Sequence, residues 1–336
     1  MSWQICPAGE LSRFQDEWQV LNDAGPRSPL LEPAFILPAL TAFGSGNEKL
    51  CLYGDAPKRA MALVAPKGRM GWEVFQPSQV PMGPWLIHDT QDMGQCLGEL
   101  LHALPGMPMA LGVTQLDPDL YTRPPDTLIQ STLDYIETAR VSVSGSFDEY
   151  WAARGKNLRH NMKKQRTQLE KAGIATRLEK LTKPGEMAEA VRDYGKLESQ
   201  GWKSEGGTAI HPDNAQGRFY QSMLENFCAM GRGRIYRYWF NDDVVAMDLC
   251  VEGYGTLVIL KTTYDEQKAN GTSPAFLMRQ EIFMEVFGEG QLKTIEFYGK
   301  LMEWHKRWTE EVRTMYHINR YRWPLIGWMK DLKKKR

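Results

Sequence analysis

Leu11, Phe14, Trp18 and Leu21 recur every three or four residues, which predicts a short amphipathic helix over 10–24. Two strand-like runs follow, 49–55 (KLCLYGD) and 59–68 (RAMALVAPKG), joined by an Asp-Ala-Pro-Lys turn. The stretch 77–87 is broken up by Pro and Gly and reads as loop. A helix over 90–104, a strand over 109–115, a hinge at 121–127 (YTRPPDT) and a strand over 134–143 complete this half.

The texture changes at Ser146. Glu149 stands three residues on, the capping-box spacing, and a second helical run ends at Ala172 before Gly173. A strand over 174–181 and a helix over 184–200 come next, then a Gly-rich loop over 201–210 and a helix from about Pro212 to Gly231. Three strands in succession, 233–240, 244–253 and 255–266, are separated only by tight turns, which predicts an antiparallel meander. The meander feeds a strong helix at 274–287, a strand at 293–299, a helix near 301–311 and a last strand at 312–322. A closing amphipathic helix over 323–336 carries Leu325, Trp328, Met329 and Leu332 on one stripe, with a lysine cluster at its end.

Length and composition narrow the class. The chain has 336 residues, 42% hydrophobic and 24% charged, so one large or two ordinary globular domains are expected. No apolar run is long enough to span a bilayer, and the first residues lack the pattern of a secretory leader, so a cytoplasmic protein is expected. Five scattered cysteines with no CxxC or Cys/His spacing read as free thiols, and no metal site is expected. Net charge is zero but uneven: residues 1–140 hold 9 Lys and Arg against 16 Asp and Glu, and the remainder 32 against 25. That asymmetry supports two domains, 1–145 and 146–336, and places any anionic ligand with the second.

One joint stands out chemically. In 262–283 (TTYDEQKANGTSPAFLMRQEIF) a β-branched strand runs through a loop into a helix with Pro274 at its first position. Ser273 is expected to cap that helix through its hydroxyl. The amides of Gly271, Thr272, Ala275 and Phe276 would then point out of its N-terminus, a ready site for a pyrophosphate. An ordinary capped helix is the plain alternative.

The order of the second half resembles the GNAT acyltransferase fold. More narrowly, LESQGWKSEGG, NGTSPAFLMRQEIF and IEFYGKLMEWHKRW resemble the CelD-like acetyltransferases related to FemAB. Ala275 replaces a usual Gly, Glu296–Phe297 a usual Asp-Phe, and Lys306 and Trp308 stand one residue closer than usual. The resemblance implies an α/β (α+β) fold of tandem GNAT-like domains, each a mixed, mostly antiparallel sheet flanked by helices. The first would be a degenerate copy. It also implies acetyl-CoA or another acyl-CoA as donor, bound by Gly271, Thr272, Ser273, Ala275 and Phe276.

Acyl transfer from a thioester to an amine calls for a base, an oxyanion donor and a proton for the thiolate. Tyr298 is the candidate acid; Glu296, Glu198 and His305 are the candidate bases. For Glu296 an ion pair with Lys306 or Arg307 is the structural alternative, for Tyr298 a core plug. Asp265 reads as a turn cap. Trp202, Lys203, Arg159 and Lys306 are the candidate acceptor contacts. The basic run Arg154–Lys171 suits a phosphate-bearing acceptor, the 3′-phosphate of coenzyme A or RNA, or a merely solvated face. The acceptor expected by resemblance is an amino sugar or similar amine in exopolysaccharide or cell-envelope synthesis. Two alternatives stay open: a FemAB-type peptidoglycan transferase using aminoacyl-tRNA, and a non-catalytic GNAT-like regulator. Zero net charge argues against a stable nucleic-acid complex. The closing helix either docks on the core or contacts the inner face of a membrane peripherally.

Overall fold

The computed structural model describes residues 2–88, 91–199, 210–269 and 271–327. It divides into two compact units, Met1–Glu137 with Arg313–Arg336, and Thr138–Val312. In chain order the first unit builds β1 (Trp3–Pro7), α1 (Gln15–Ala24), α2 (Pro33–Phe43), β2 (Lys49–Tyr53), β3 (Ala60–Lys67) and β4 (Gly71–Val74). It continues with β5 (Trp85–Ile87), α3 (Met93–Ala103) and β6 (Ala110–Leu116). Strand β7 (Gln130–Ser142) passes from the first unit into the second.

The second unit follows with α4 (Phe147–Ala152), α5 (Lys156–Lys171), β8 (Thr176–Leu181), α6 (Met187–Ser199) and α7 (Ala215–Ala229). The meander β9 (Gly233–Phe240), β10 (Asp243–Gly253) and β11 (Thr256–Tyr264) leads to α8 (Pro274–Glu289), β12 (Thr294–Glu296) and α9 (His305–Trp308). The last strand, β13 (Val312–Tyr321), returns to the first unit and pairs with β6.

The two units repeat one plan. In the second, β8, β9, β10 and β11 pair antiparallel in that order, and α8 then carries the chain back so that β12 lies parallel to β11. In the first, β1, β2, β3 and β4 pair antiparallel, and α3 returns the chain so that β6 lies parallel to β4. Each sheet is completed by the strand that follows the other unit's parallel pair. The end of β7 lines up antiparallel to β12, and β13 antiparallel to β6. This exchange corrects the sequence-level boundaries of 1–145 and 146–336, because a local strand signal carries no information about which sheet it joins. No helix of the described residues is long and apolar enough to cross a membrane.

Most expected elements are present, and the departures have physical causes. Helix α2 (PAFILPALTAF) is apolar nearly all round and contains Pro38, so it shows no helical period. Strands β1, β4 and β5 are five, four and three residues long, too short for alternation to stand out. The expected helix over 301–311 shrinks to His305–Trp308. The capping box forms as expected: the Glu149 amide donates to Ser146 Oγ and the Ser146 amide to Glu149 Oε2. The closing helix starts at Pro324, and Trp328–Arg336 lie outside the described residues.

In the second unit α8 lays Leu277, Met278, Ile282, Phe283 and Val286, all fully buried, into one core with Tyr236, Tyr238, Ile295 and Trp308. Leu158, Met162 and Leu169 of α5 join the same core. This packing holds the start of α8 beside the point where β11 and β12 part.

Candidate active site

Strands β11 and β12 are in register only from Thr256 to Val258, against Thr294 to Glu296. Beyond that they diverge, and the chain after β12 runs on without pairing to β11. The gap is a cleft of about 470 Å³ walled by Ile259–Thr262 and Tyr264 on one side. Phe297, Met302 and Trp304 form the other wall, with Phe276 and Trp308 beneath. Parallel strands that part after three residues leave backbone and side chains free to receive an extended ligand.

The start of α8 forms one end of this cleft through Ser273 and Ala275. Ser273 makes no side-chain cap, contrary to expectation; its own N–H donates to Gln165 Oε1 of α5 at 2.7 Å. The Thr272 and Phe276 amides are also committed, to the carbonyls of Ala269 and Ser273. Among the described residues the amides of Gly271 and Ala275 have no acceptor. Gly271 has φ +71°, a conformation that favours glycine, and a Cβ there would stand 3.3 Å from Gln168 Nε2.

Deeper in the cleft lies a charged pair that sequence reasoning did not single out. Arg279, on α8, is 3% exposed and Asp248, on β10, is fully buried. Arg279 Nη2 donates to Asp248 Oδ2 at 3.0 Å and to Thr262 Oγ1 at 2.8 Å. Asp248 and Thr262 are cross-strand partners, so the sheet presents both acceptors to one guanidinium nitrogen. Arg279 Nε is buried without a partner. The guanidinium lies 5.2 Å from the Phe297 ring centre and 4.8 Å from that of Trp304. The one signal was Asp248, a lone charge in the otherwise apolar strand VVAMDLCV.

His305 shares those two rings. Its imidazole stacks on Trp304 at 3.6 Å and meets Phe297 edge-on at 5.0 Å. The Met302 N–H donates to His305 Nδ1 at 2.9 Å, so Nε2 carries the ring proton. Burial, followed by the nearby Arg279 charge, pushes the His305 pKa down to about 4. The ring is therefore neutral at ordinary pH, with its lone pair on Nδ1 engaged by the Met302 amide and a donor at Nε2.

Residues 156–307 match the family described as an acetyltransferase (GNAT) domain. They are a GNAT domain. The fold is similar to that of the C-terminal domain of a putative lysylphosphatidylglycerol synthetase from Agrobacterium fabrum, with a TM-score of 0.56 at 10% identity over 95% of each chain. L-PGS from Bacillus licheniformis aligns with a TM-score of 0.56 at 14% identity over 91% of each chain. FemX aligns with a TM-score of 0.58 at 9% identity over 94% of this chain and 98% of its own. At such identities these likenesses concern the fold. A search of curated proteins finds no match.

The GNAT domain brings some expected residues together and separates others. Ser273, Ala275, Phe276 and His305 line the cleft. Glu296 is buried on β12, and β12 ends there; Tyr298 follows with φ +46° and so does not continue the strand face. Neither side chain is among those lining the cleft. Glu198 is sealed on α6, where it pairs with Lys261 at 3.0 Å and accepts the Ile210 N–H at 2.9 Å, so it is committed rather than poised as a base. Lys261, also over the Tyr194 and Tyr220 rings, is a cleft residue that sequence reasoning missed. Asp265 caps its turn, accepting the Gln267 and Lys268 amides.

Lys306 pairs with Glu303 at 2.8 Å, and with Arg154 and Arg307 it lines a separate groove of about 460 Å³ at the start of α5. Arg159 is exposed and its Nε donates to the Arg154 carbonyl. On α5 Arg166 turns inward to an ion pair with Glu281 at 3.0 Å; Lys156, Lys163, Lys164 and Lys171 are exposed. Trp202 and Lys203 lie outside the described residues.

Proposed function

We propose that the GNAT domain transfers an acyl group from coenzyme A to an amine. One observation carries this reading: the cleft between β11 and the segment after β12 runs to an α8 start that no side chain caps. A narrow, mostly apolar slot suits an extended pantetheine arm. Open amides at Gly271 and Ala275, backed by the helix dipole, suit a pyrophosphate. The acceptor class favoured by the family resemblance is an amino sugar or similar amine of an exopolysaccharide or cell-envelope polymer.

A second reading has its own support. FemX and the A. fabrum synthetase resemble the whole chain, over 94% and 95% of it, and not the GNAT domain alone. The latter is named for making lysylphosphatidylglycerol. On this reading the donor is an aminoacyl-tRNA, and the exposed basic face of α5 is the surface that meets it. The two separate by donor. Acetyl-CoA at a hundred times its Kd would raise stability by about 2.7 kcal/mol. Thermal stabilisation by acetyl-CoA and none by aminoacyl-tRNA supports the first reading, and the reverse result replaces it with the second. Binding of acetyl-CoA without thiol release toward any amine would make the domain a ligand-binding regulator.

A further inference from the structure

Arg279 and His305 are unusual in what they leave unused. Each is only 3% exposed, each lines the same cleft, and each touches the same two rings, Phe297 and Trp304. Arg279 commits Nη2 alone, to Asp248 and Thr262. Among the described residues its Nε is buried without an acceptor. His305 commits Nδ1 to the Met302 amide, and its Nε2–H has no acceptor among the described residues. Burying donors without partners costs about 1–3 kcal/mol each unless something else accepts from them. No Asp or Glu is among the residues lining the cleft. An oxygen on a ligand in this cleft would find donors and no competing carboxylate.

We propose that Arg279 and His305 form a side-chain oxyanion hole that receives the carbonyl oxygen of the acyl group. This rests on the reading of the cleft as an acyl-transfer site. The amine nitrogen bonds to the acyl carbon, and the C=O π pair moves onto the oxygen, where the two N–H donors hold the charge. Re-forming the C=O breaks the carbon–sulfur bond; the sulfur leaves as thiolate and takes up the proton that the nitrogen sheds. The Asp248 carboxylate and Thr262 hydroxyl fix the guanidinium, and the two rings clamp both donors. The site thus needs little reorganisation as charge develops, which is where such donors act most strongly. A neutral imidazole is well suited to the task, since it donates without carrying a charge that a buried site would penalise.

The test uses the full chain with acetyl-CoA labelled with carbon-13 at the carbonyl. Infrared difference spectra of the bound ligand should place the carbonyl stretch at lower frequency than in water. Arg279→Lys keeps a cation for Asp248, and His305→Phe keeps the ring contacts while removing the N–H. Each should return much of the frequency shift, with the acetyl-CoA Kd moving less than about threefold. Each should also slow thiol release about 10²-fold, the usual cost of losing one oxyanion donor. An identical carbonyl frequency in all three proteins, with acetyl-CoA bound to each, overturns the proposal and leaves the acyl-CoA reading intact. Failure of the unmodified chain to bind acetyl-CoA overturns both.

Discussion

The two units share one element order, yet they treat the gap between their parallel strands in opposite ways. In the GNAT domain, β11 and β12 part and leave a cleft. In the first unit the corresponding gap beyond the β4–β6 pairing is filled by the chain's own loop. Val80 and Met82 of that loop are buried, Gln76 accepts a hydrogen bond from Thr114 Oγ1 of β6, and Gly83 presses against the Thr114 carbonyl. The helix starts differ in the same sense. Asp92 caps α3 with its own carboxylate, accepting the Gln95 amide at 2.6 Å, whereas no side chain caps α8. The comparison teaches that one scaffold becomes a binding site or a packing unit according to whether its own side chains satisfy the gap.

The largest expected effect is on the buried charged pair of the cleft. Arg279→Met strands Asp248 in the core and should lower stability by about 3–5 kcal/mol in denaturant titrations. The double variant Arg279→Met with Asp248→Leu should recover most of that loss, because it removes both buried charges. An additive double variant would mean that the pair is not coupled as the geometry requires.

Next come two glycines given the same replacement. A Cβ at Gly83 would lie 2.4 Å from the Thr114 oxygen, so Gly83→Val should cost about 2 kcal/mol of stability and leave acetyl-CoA affinity unchanged. Gly271→Val should do the opposite, raising the acetyl-CoA Kd at least tenfold, about 1.4 kcal/mol. Calorimetry and thermal melts on the pair decide it. Affinity lost at Gly83, or kept at Gly271, would dissolve the distinction between filled and open gaps.

The smallest effect tests the caps. Asp92→Ala should destabilise by about 1 kcal/mol, the usual cost of losing a side-chain cap. Ser273→Ala should change stability by no more than a few tenths of that, since its hydroxyl caps nothing. Equal losses in chemical denaturation would show that Ser273 does cap α8 in solution.

Much of the GNAT domain was legible because its signals are local. The meander turns, the Ser146–Glu149 capping box and the Pro274 helix start each depend on residues within a few positions, and each forms. Chemistry was less legible. His305 was readable as a candidate, but its lowered pKa depends on burial and on Arg279 of α8, which no local pattern encodes. Glu198 was equally misleading, since a carboxylate that reads as available on a helix is spent on Lys261, 63 residues away.

The sequence by itself determined most helices and strands of the second unit, among them the meander and the helix that starts at Pro274. These follow from periodicity, capping and backbone restrictions, all of which act within a few residues. Only the tertiary structure decided that β7 and β13 exchange units, that Asp248 meets Arg279 31 residues on, and that one gap is filled while its counterpart stays open. Those outcomes turn on which buried groups find partners across the sheets, and the cost of an unpaired polar group is settled by the folded neighbourhood, not by position in the chain.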